Sequence, residues 1–301
     1  MATTDRQFKI ASRCELLPYL TGPPLGLSRK QAKDLLRFRA VTVHGKTMVR
    51  HDTELRPGDL VIIAARKQVG EATLEHHGLR IVHLDDAIVV IEKPSGLLSM
   101  ASEREKEKTA YRILNTHLKT VMKTPLQQVY IVHRLDRETS GLMMFARSVS
   151  AQAALQQNWK GVIKRYMAVV EGLPAEAQGT LKDMLLESES LMVRRVEEGG
   201  ELAITHYHVL RSKGDKSLLE LTIETGRRNQ IRVQLAALGH PIAGDHKYGA
   251  KTDPARRLAL HACELKFRHP VSDAAMEFRS ALPSRLKALI EGRRPASRRG
   301  A

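Results

Sequence analysis

Strand-forming segments dominate the chain after residue 80, and their order restricts the folds that it can form. Six apolar, β-branched segments follow one another, with helical periodicity only at residues 149–159 and 229–238. A parallel sheet would need a crossover helix between most strands, and this sequence lacks that βαβ repeat. The order therefore predicts an α+β domain around a largely antiparallel, mixed sheet, with strands at residues 87–91, 129–135, 141–146, 166–171, 204–210 and 218–224.

A smaller α/β domain is predicted before residue 67. Ser28 is a suitable N-cap for a helix in which Ala32, Leu35 and Leu36 recur at helical spacing. Alternating valines then predict a strand, and a Pro-Gly-Asp turn leads into a second apolar strand at residues 60–63. The predicted organisation is a small domain at residues 12–66, a linker at 67–79, a second domain at 80–291 and a basic, disordered tail at 292–301.

The net charge of the chain points to a polyanionic partner. The 49 Lys and Arg residues exceed the 33 Asp and Glu residues by 16. Such a surplus neutralises phosphates and releases their counterions. On the predicted helix, Arg29, Lys30, Lys33 and Arg37 share the side opposite the apolar stripe, where they either face solvent or bind phosphates.

Composition argues against several classes of protein. Cys14 and Cys263 are too few and too far apart for a disulfide framework or a zinc site, and no run approaches the roughly 20 apolar residues of a membrane span. His76 and His77 lack the cysteine or carboxylate partners of a metal site. The N-terminus has no apolar signal core, so we expect a soluble, cytoplasmic protein without a metal.

The segment HRLDRETSG, at residues 133–141, places Asp136 between two arginines just before a Ser-Gly turn. On chemistry alone, this Asp either forms a solvated ion pair or acts as an active-site carboxylate. The segment resembles the signature of RNA pseudouridine synthases of the RluA type, and this resemblance implies that Asp136 is the catalytic residue. The segment KPSGL, at residues 93–97, also resembles the start of that synthase domain.

A second part of the resemblance lies downstream, where TGRRNQIRVQ is similar to the family's TGRxHQIRxH element. The resemblance implies that Arg232 pairs with Asp136 and that Arg227 contacts RNA. Exposed charges in the first turn of a helix are the alternative explanation. Asn229 and Gln234 depart from the common pattern, which has His at both positions, although both side chains can still form hydrogen bonds.

Tyr166 lies in the segment KRYMAVVEG, which resembles the family's K-x-Y-x-A-x-V-x-G strand. Without that resemblance, a Tyr in an alternating strand fits a core position better than an active site. The resemblance places the ring against the target base, where it stacks or serves as an acid or base. Arg134 falls on the same predicted strand face as Asp136 by period-2 alternation, and it is the candidate to fill the gap that a flipped uridine leaves.

Three further segments extend the resemblance. Residues 239–249, a glycine-shaped turn, and 258–270 are similar to closing elements of the synthase domain. Residues 12–66 resemble the alpha-L RNA-binding module that a ribosomal protein shares with several RNA-modifying enzymes. This last resemblance favours RNA contact for the basic helix.

The resemblance as a whole implies isomerisation of uridine to pseudouridine in RNA by a catalytic Asp, with no cofactor or metal. Ribosomal RNA is the favoured substrate, transfer RNA is the second candidate, and a monomer is expected. The alternative is a catalytically silent RNA-binding or ribosome-assembly protein with the same fold. The presence together of Asp136, Tyr166 and Arg232 favours the enzyme.

Overall fold

The computed structural model of the chain describes residues 5–37, 40–64, 74, 77–103, 105–121 and 128–291. The chain forms two compact units. The first comprises Met1–Arg80 and Arg112–Gln128, and the second comprises Ile81–Tyr111 and Val129–Ala301. Most of the predicted linker and the whole predicted tail lie outside the described residues. The domain boundaries proposed from the sequence therefore stay a prediction.

The first unit combines short helices with two small sheets. Its elements are β1 (Arg6–Lys9), β2 (Cys14–Glu15), α1 (Leu16–Thr21), α2 (Arg29–Arg37), β3 (Val41–Val43), β4 (Lys46–Thr47), β5 (Glu54–Leu55), β6 (Leu60–Ile63) and most of α3 (Ala110–Val121). One sheet has the strand order β1-β6-β3-β4, and β2 pairs with β5 in the other. Leu16 and Leu20 of α1 share a buried cluster with Ala32 and Leu36 of α2 and with the valines of β3.

Helix α2 begins where the sequence predicts. The Gln31 N–H donates to Ser28 Oγ at 3.2 Å, and the Ser28 N–H donates back to Gln31 Oε1 at 2.8 Å. These reciprocal bonds satisfy backbone donors that a helix N-terminus leaves unpaired. The apolar stripe is buried and Arg29 and Lys33 are exposed, which agrees with the predicted basic face.

The second unit is built on one large sheet. Its elements are β7 (Arg80–Leu84), β8 (Ile88–Lys93), β9 (Tyr130–Ile131), β10 (Ser140–Ala146), α4 (Val149–Gln157), β11 (Ile163–Glu171), β12 (Gln178–Glu187), β13 (Val193–Val196), β14 (Glu201–Lys213), β15 (Lys216–Ile223), α5 (Gln230–Ala237), β16 (Leu260–Arg268), β17 (Ala275–Arg279) and α6 (Ser284–Glu291). The sheet has 11 strands in the order β13-β12-β14-β15-β11-β16-β10-β8-β7, with β17 paired to β16 and β9 paired to β10. Helices are few, so the predicted α+β class is confirmed.

The middle of this sheet brings distant parts of the chain together. Strand β16 lies between β11 and β10, antiparallel to β11 and parallel to β10. Strand β10 is buried along its whole length, because apolar side chains cover both of its faces. The start of β10 and the middle of β11 therefore flank β16, which comes later in the sequence than both.

The predicted strand at 129–135 is wrong beyond Ile131. Residues 132–136 form no strand, and side-chain contacts of His133 hold this segment instead. His133 Nε2 accepts the Met144 N–H at 3.0 Å, and the His133 ring packs on Trp159 with ring centres 4.7 Å apart. Arg134 and Asp136 are therefore not in a strand, and the period-2 alternation that predicted a shared strand face for them does not apply.

The sequence also left several strands unassigned. Strand β12 has mostly exposed or half-buried positions, and β16 follows a turn-rich segment that masks its beginning. Among the described helices, none is long and apolar enough to cross a membrane.

Candidate active site

The segment that carries Asp136 is held at both ends and along its backbone. Ser99 Oγ donates to Leu135 O at 2.6 Å and accepts the Leu135 N–H at 3.1 Å. After Asp136, the Gly96 N–H donates to Arg137 O at 2.9 Å. A turn follows, in which the Thr139 N–H donates to the backbone carbonyl of Asp136 at 3.1 Å. We call residues 132–140 the active-site loop.

Lys93 ties the active-site loop to the turn that follows β8. Its side chain is fully buried, and Nζ donates to Pro94 O at 3.0 Å, Leu97 O at 2.7 Å and Arg137 O at 3.1 Å. Burial lowers the pKa of Lys93 to about 7, although the charges of Glu138 and Asp136 oppose that change. The lysine therefore pins the backbone beside Asp136 and also places a nearby cation.

Gly141 directly follows the active-site loop and is the second residue of β10. Its φ is +117°, a conformation that L side chains rarely adopt. A Cβ at this position would lie 2.2 Å from Ala262 O on β16. Only glycine fits this close approach, which explains the Ser-Gly pair at the end of the motif.

Asp136 is partly exposed in a pocket that also contains Arg134, Tyr166, Arg227 and Arg232. All five were singled out from the sequence, and the structure brings them together. Burial raises the pKa of the Asp136 carboxyl. The positive charges of Arg232, Arg134, Arg228 and Lys93 favour the ionised form and limit that rise.

Tyr166 lies in β11 opposite Leu221 of β15, and its side chain is 9% exposed. Burial raises its pKa, and the negative charge of Asp136 raises it further. The phenol is therefore protonated at neutral pH. In this state the hydroxyl can donate a proton but is a poor base.

Arg232 is fixed by three partners around its guanidinium. Nε donates to Asp245 Oδ2 and Nη2 donates to Asp245 Oδ1, both at 2.7 Å. Nη1 donates to Asn229 Oδ1 at 3.1 Å, and the guanidinium lies 5.1 Å from the Tyr248 ring centre. Burial lowers the pKa of Arg232, but the bonds to Asp245 outweigh it, so its pKa is raised and the group stays charged.

The predicted ion pair between Arg232 and Asp136 therefore needs correction. The salt bridge of Arg232 in the structure is to Asp245, and its charge reaches Asp136 through space. A guanidinium can bind a carboxylate in the bidentate manner through its Nε–Nη2 edge or its Nη1–Nη2 edge, and Asp245 occupies the Nε–Nη2 edge. The bonds to Asp245 and Asn229 leave one N–H on Nη1 and one on Nη2 unused.

The two positions that depart from the common motif have different roles. Asn229 has a φ of +51°, which Asn tolerates well, and its Nδ2 donates to Tyr248 Oη at 3.0 Å. Asn229 thus joins Tyr248 to Arg232. Gln234 instead points into the sheet, where Oε1 accepts the Thr205 hydroxyl at 2.7 Å and Nε2 donates to Asp183 Oδ2 at 2.8 Å. We therefore associate fine positioning at the pocket with Asn229 and internal packing with Gln234.

The predicted RNA-binding residues differ in their surroundings. Arg134 is exposed at the pocket, whereas Arg227 is half-buried and donates to Glu201 Oε1 at 2.5 Å. In the first unit, Arg29 and Lys33 are exposed, and the side chains of Lys30 and Arg37 lie outside the described part of the structure. No group of three or more His, Cys, Asp or Glu suited to a metal ion occurs among the described residues.

Asp245 was not identified from the sequence as a site residue. Asp245 follows Gly244, whose φ is +81°, in a turn that buries the carboxylate to 2% exposure. A buried carboxylate requires a cation, and Arg232 is that cation. Spacing alone could not reveal the pair.

Known proteins share much of this sequence. A family model described as RNA pseudouridylate synthase matches residues 87–237, which include the active-site loop, β11 and α5. The chain belongs to the RNA pseudouridylate synthase family. The enzyme is 35% identical over 257 residues to the uncharacterized RNA pseudouridine synthase YhcT of Bacillus subtilis, covering 82% of this chain and 84% of that one.

Other relatives extend the match. The enzyme is 33% identical over 277 residues to ribosomal large subunit pseudouridine synthase D of Vibrio cholerae, covering 85% of this chain and 84% of that protein. The solved structure of human RNA pseudouridylate synthase domain containing 4 superposes with a TM-score of 0.59 at 24% identity, covering 74% of this chain and 97% of that one. This last likeness establishes the shared fold. The enzyme is thus an RNA pseudouridine synthase.

Proposed function

We propose that this enzyme isomerises specific uridines in ribosomal RNA to pseudouridine, with Asp136 as its catalytic carboxylate and without a cofactor. The observation that carries the proposal is the state of that carboxylate. It lies in the pocket, and no side chain of the described residues makes a hydrogen bond or ion pair with it. Asp136 is therefore available to a substrate, while surrounding cations favour its ionised form.

The chemistry needs one carboxylate with access to the nucleoside. The glycosidic bond between N1 and the ribose must break, the uracil must turn, and its C5 must bond to the same ribose carbon. Asp136 serves this sequence either as a nucleophile or as a base on the uracil or ribose. Both routes need the ionised carboxylate at the start.

The neighbouring residues divide the remaining work. Tyr166, on β11, stacks on the uracil with its protonated phenol in the pocket. Arg232 is held rigidly by Asp245, and its charge balances the charge that develops beside Asp136. Arg134, exposed at the pocket, fills the gap that the flipped uridine leaves.

Large structured RNA suits the distribution of charge. The first 70 residues hold 13 Lys and Arg against six Asp and Glu, and Arg29 and Lys33 project from one face of α2. Arg227, at the pocket, adds a phosphate contact to those of Arg29, Lys30, Lys33 and Arg37. The name of the Vibrio cholerae relative, a ribosomal large subunit synthase, supports ribosomal over transfer RNA.

The test is tritium release from transcripts labelled at C5 of uridine, because forming a bond at C5 displaces that hydrogen. Wild-type protein, Asp136→Asn and Glu138→Gln are compared on ribosomal and transfer RNA. Glu138 is the matched control, since it is a second carboxylate of the same loop and pairs with Arg137 at 3.6 Å. We expect release from ribosomal RNA by wild type and Glu138→Gln, and none by Asp136→Asn.

Two other results would overturn parts of the proposal. Release by Asp136→Asn at the wild-type rate would remove Asp136 from the chemistry. No release from either RNA by wild type, with tight RNA binding retained, would favour the catalytically silent RNA-binding alternative for these substrates.

A further inference from the structure

Five polar side chains form a continuous hydrogen-bonded series behind the active-site loop, and its three middle members are buried. Arg257 Nη2 donates to Ser140 Oγ at 2.7 Å, and Ser140 Oγ lies 2.8 Å from His261 Nδ1. His261 Nε2 lies 2.9 Å from Ser280 Oγ, which in turn donates to the Glu92 carboxylate. Ser140, His261 and Ser280 are 4%, 1% and 7% exposed. Water therefore has little access to these links.

The hydrogens of this chain can point in only one direction when His261 is neutral. The single hydroxyl hydrogen of Ser280 goes to Glu92, so Ser280 Oγ must accept from His261 Nε2–H. The proton of a neutral imidazole is then on Nε2, which leaves Nδ1 as an acceptor for the Ser140 hydroxyl. Burial lowers the pKa of His261 to about 4, in agreement with a neutral ring. The order of donation is Arg257 to Ser140 to His261 to Ser280 to Glu92.

The chain has a cation at its donor end and a carboxylate at its acceptor end. In a buried setting each link polarises the next, so such a series holds its members more firmly than isolated bonds would. Ser140 lies between Arg257 and His261 in this series. Its position is therefore fixed by two bonds, one donated and one accepted.

This hydrogen-bonded series of side chains lies directly beneath the pocket. Ser140 is opposite His261 where β10 and β16 run parallel. The residues that precede them, Thr139 and Leu260, both line the pocket with Asp136. Arg257 Nη2 also donates to Leu260 O at 3.2 Å, so the same guanidinium bonds both flanks. A shift of Ser140 or His261 would be passed to the pocket floor.

We propose that His261 is a positioning residue for uridine isomerisation, which through Ser140 fixes the end of the active-site loop and hence the Asp136 carboxylate. This inference rests on the proposed role of Asp136. His261 does not touch the substrate. Its contribution is to the geometry of the reacting complex, so its loss lowers kcat and leaves the binding of RNA unchanged.

Two amide variants, each of which retains one of the two ring-nitrogen positions, separate positioning from general stability. In His261→Asn, the side-chain amide occupies the place of Nδ1 and can still accept the Ser140 hydroxyl. In His261→Gln, the amide reaches the place of Nε2 and keeps only the bond to Ser280. We expect His261→Gln to lose about tenfold in kcat, the value of one net hydrogen bond, and His261→Asn to stay within about threefold of wild type. Both variants should lose a similar amount of thermal stability.

A double-mutant cycle and a control complete the design. Ser140→Ala should lower kcat at least as much as His261→Gln, and Ser140→Ala/His261→Gln should fall no further than Ser140→Ala, because the link that His261→Gln breaks is already lost in Ser140→Ala. His208→Gln is the matched control, since His208 is exposed on β14 and should keep both wild-type kcat and stability. Single-turnover tritium release, RNA dissociation constants and melting temperatures are measured for every variant, with assays well below the lowest melting temperature.

The outcomes distinguish this inference from the proposed function. Equal kcat values for His261→Asn and His261→Gln, with wild type active, would reduce His261 to a stabilising residue and overturn the inference. Additive losses in the double variant would do the same. An inactive wild type on every RNA would overturn the proposed function itself, and the inference with it.

Discussion

The buried pair of Arg232 and Asp245 gives the sharpest quantitative prediction. Its two bonds are both 2.7 Å long, and the side chains are 10% and 1% exposed. Asp245→Asn removes the negative charge but keeps the shape, so the guanidinium of Arg232 is left buried without its counter-ion. Breaking a buried pair in this way costs about 3–5 kcal/mol. Because Asn retains one acceptor, we expect the lower end, about 3 kcal/mol.

The loss should appear in both stability and turnover. The unit that contains the pair comprises Ile81–Tyr111 and Val129–Ala301. For a domain of that size, each kcal/mol lowers the melting temperature by about 2–4 °C, which gives about 6–12 °C for Asp245→Asn. Turnover should fall at least about tenfold, because Arg232 is no longer fixed beside Asp136. Calorimetry and single-turnover tritium release measure the two effects.

Two controls make the prediction refutable. Glu291→Gln breaks the exposed pair with Lys287, which is 3.5 Å long, and should cost below about 1 kcal/mol. Arg232→Met/Asp245→Leu replaces both charges by apolar groups and should recover most of the stability while turnover stays lost. If Asp245→Asn melts within about 2 °C of wild type, the pair does not hold this part of the fold. If kcat is unchanged, Asp245 does not position Arg232.

Three further outcomes follow from the geometry. Gly141→Ala should lower the free energy of unfolding, measured by urea denaturation, by about 3 kcal/mol, because its φ is positive and the new Cβ clashes with Ala262. Gly199→Ala, at a φ of +73° with open space around it, should lower it by about 1 kcal/mol. Equal losses would contradict the clash. Burial raises the pKa of Asp136, so the ionised carboxylate destabilises the fold above that pKa. Asp136→Asn should therefore melt at a higher temperature than wild type near pH 7.5, with a gain that shrinks towards pH 4. The acid limb of wild-type kcat/KM should likewise have an apparent pKa above the ordinary Asp value of 3.8. Tyr166→Ala should lose roughly ten- to hundredfold in kcat/KM, the value of one base stack, while Tyr166→Phe stays within about tenfold; equal losses would give the hydroxyl a chemical role.

Local sequence patterns predicted the parts of the fold that local physics controls. The capping box of Ser28, the helix over Gln230–Ala237 and the strand over Lys216–Ile223 each follow from periodicity and turn chemistry within a few residues. The family resemblance brought Asp136, Tyr166 and Arg232 to one site, although they are separated by 30 and 66 positions in the sequence. Their roles in the reaction remain predictions.

Long-range contacts were beyond the reach of the sequence. The strand predicted over residues 129–135 ends at Ile131, because a serine 36 positions before Leu135 bonds both backbone groups of that residue. The partner of Arg232 was wrongly assigned, since Asp245 becomes buried only when the glycine-shaped turn before it is folded. No pattern in a single sequence reports which of two nearby carboxylates an arginine will select.

The place of β16 in the sheet has a consequence for synthesis of the protein. Asp136, Tyr166 and Arg232 are all translated before Leu260–Arg268, yet this strand lies between the strands that flank the pocket. A nascent chain that already contains every predicted catalytic group therefore lacks the strand that joins them. We expect ribosome-bound chains to stay inactive until residue 268 has left the exit tunnel.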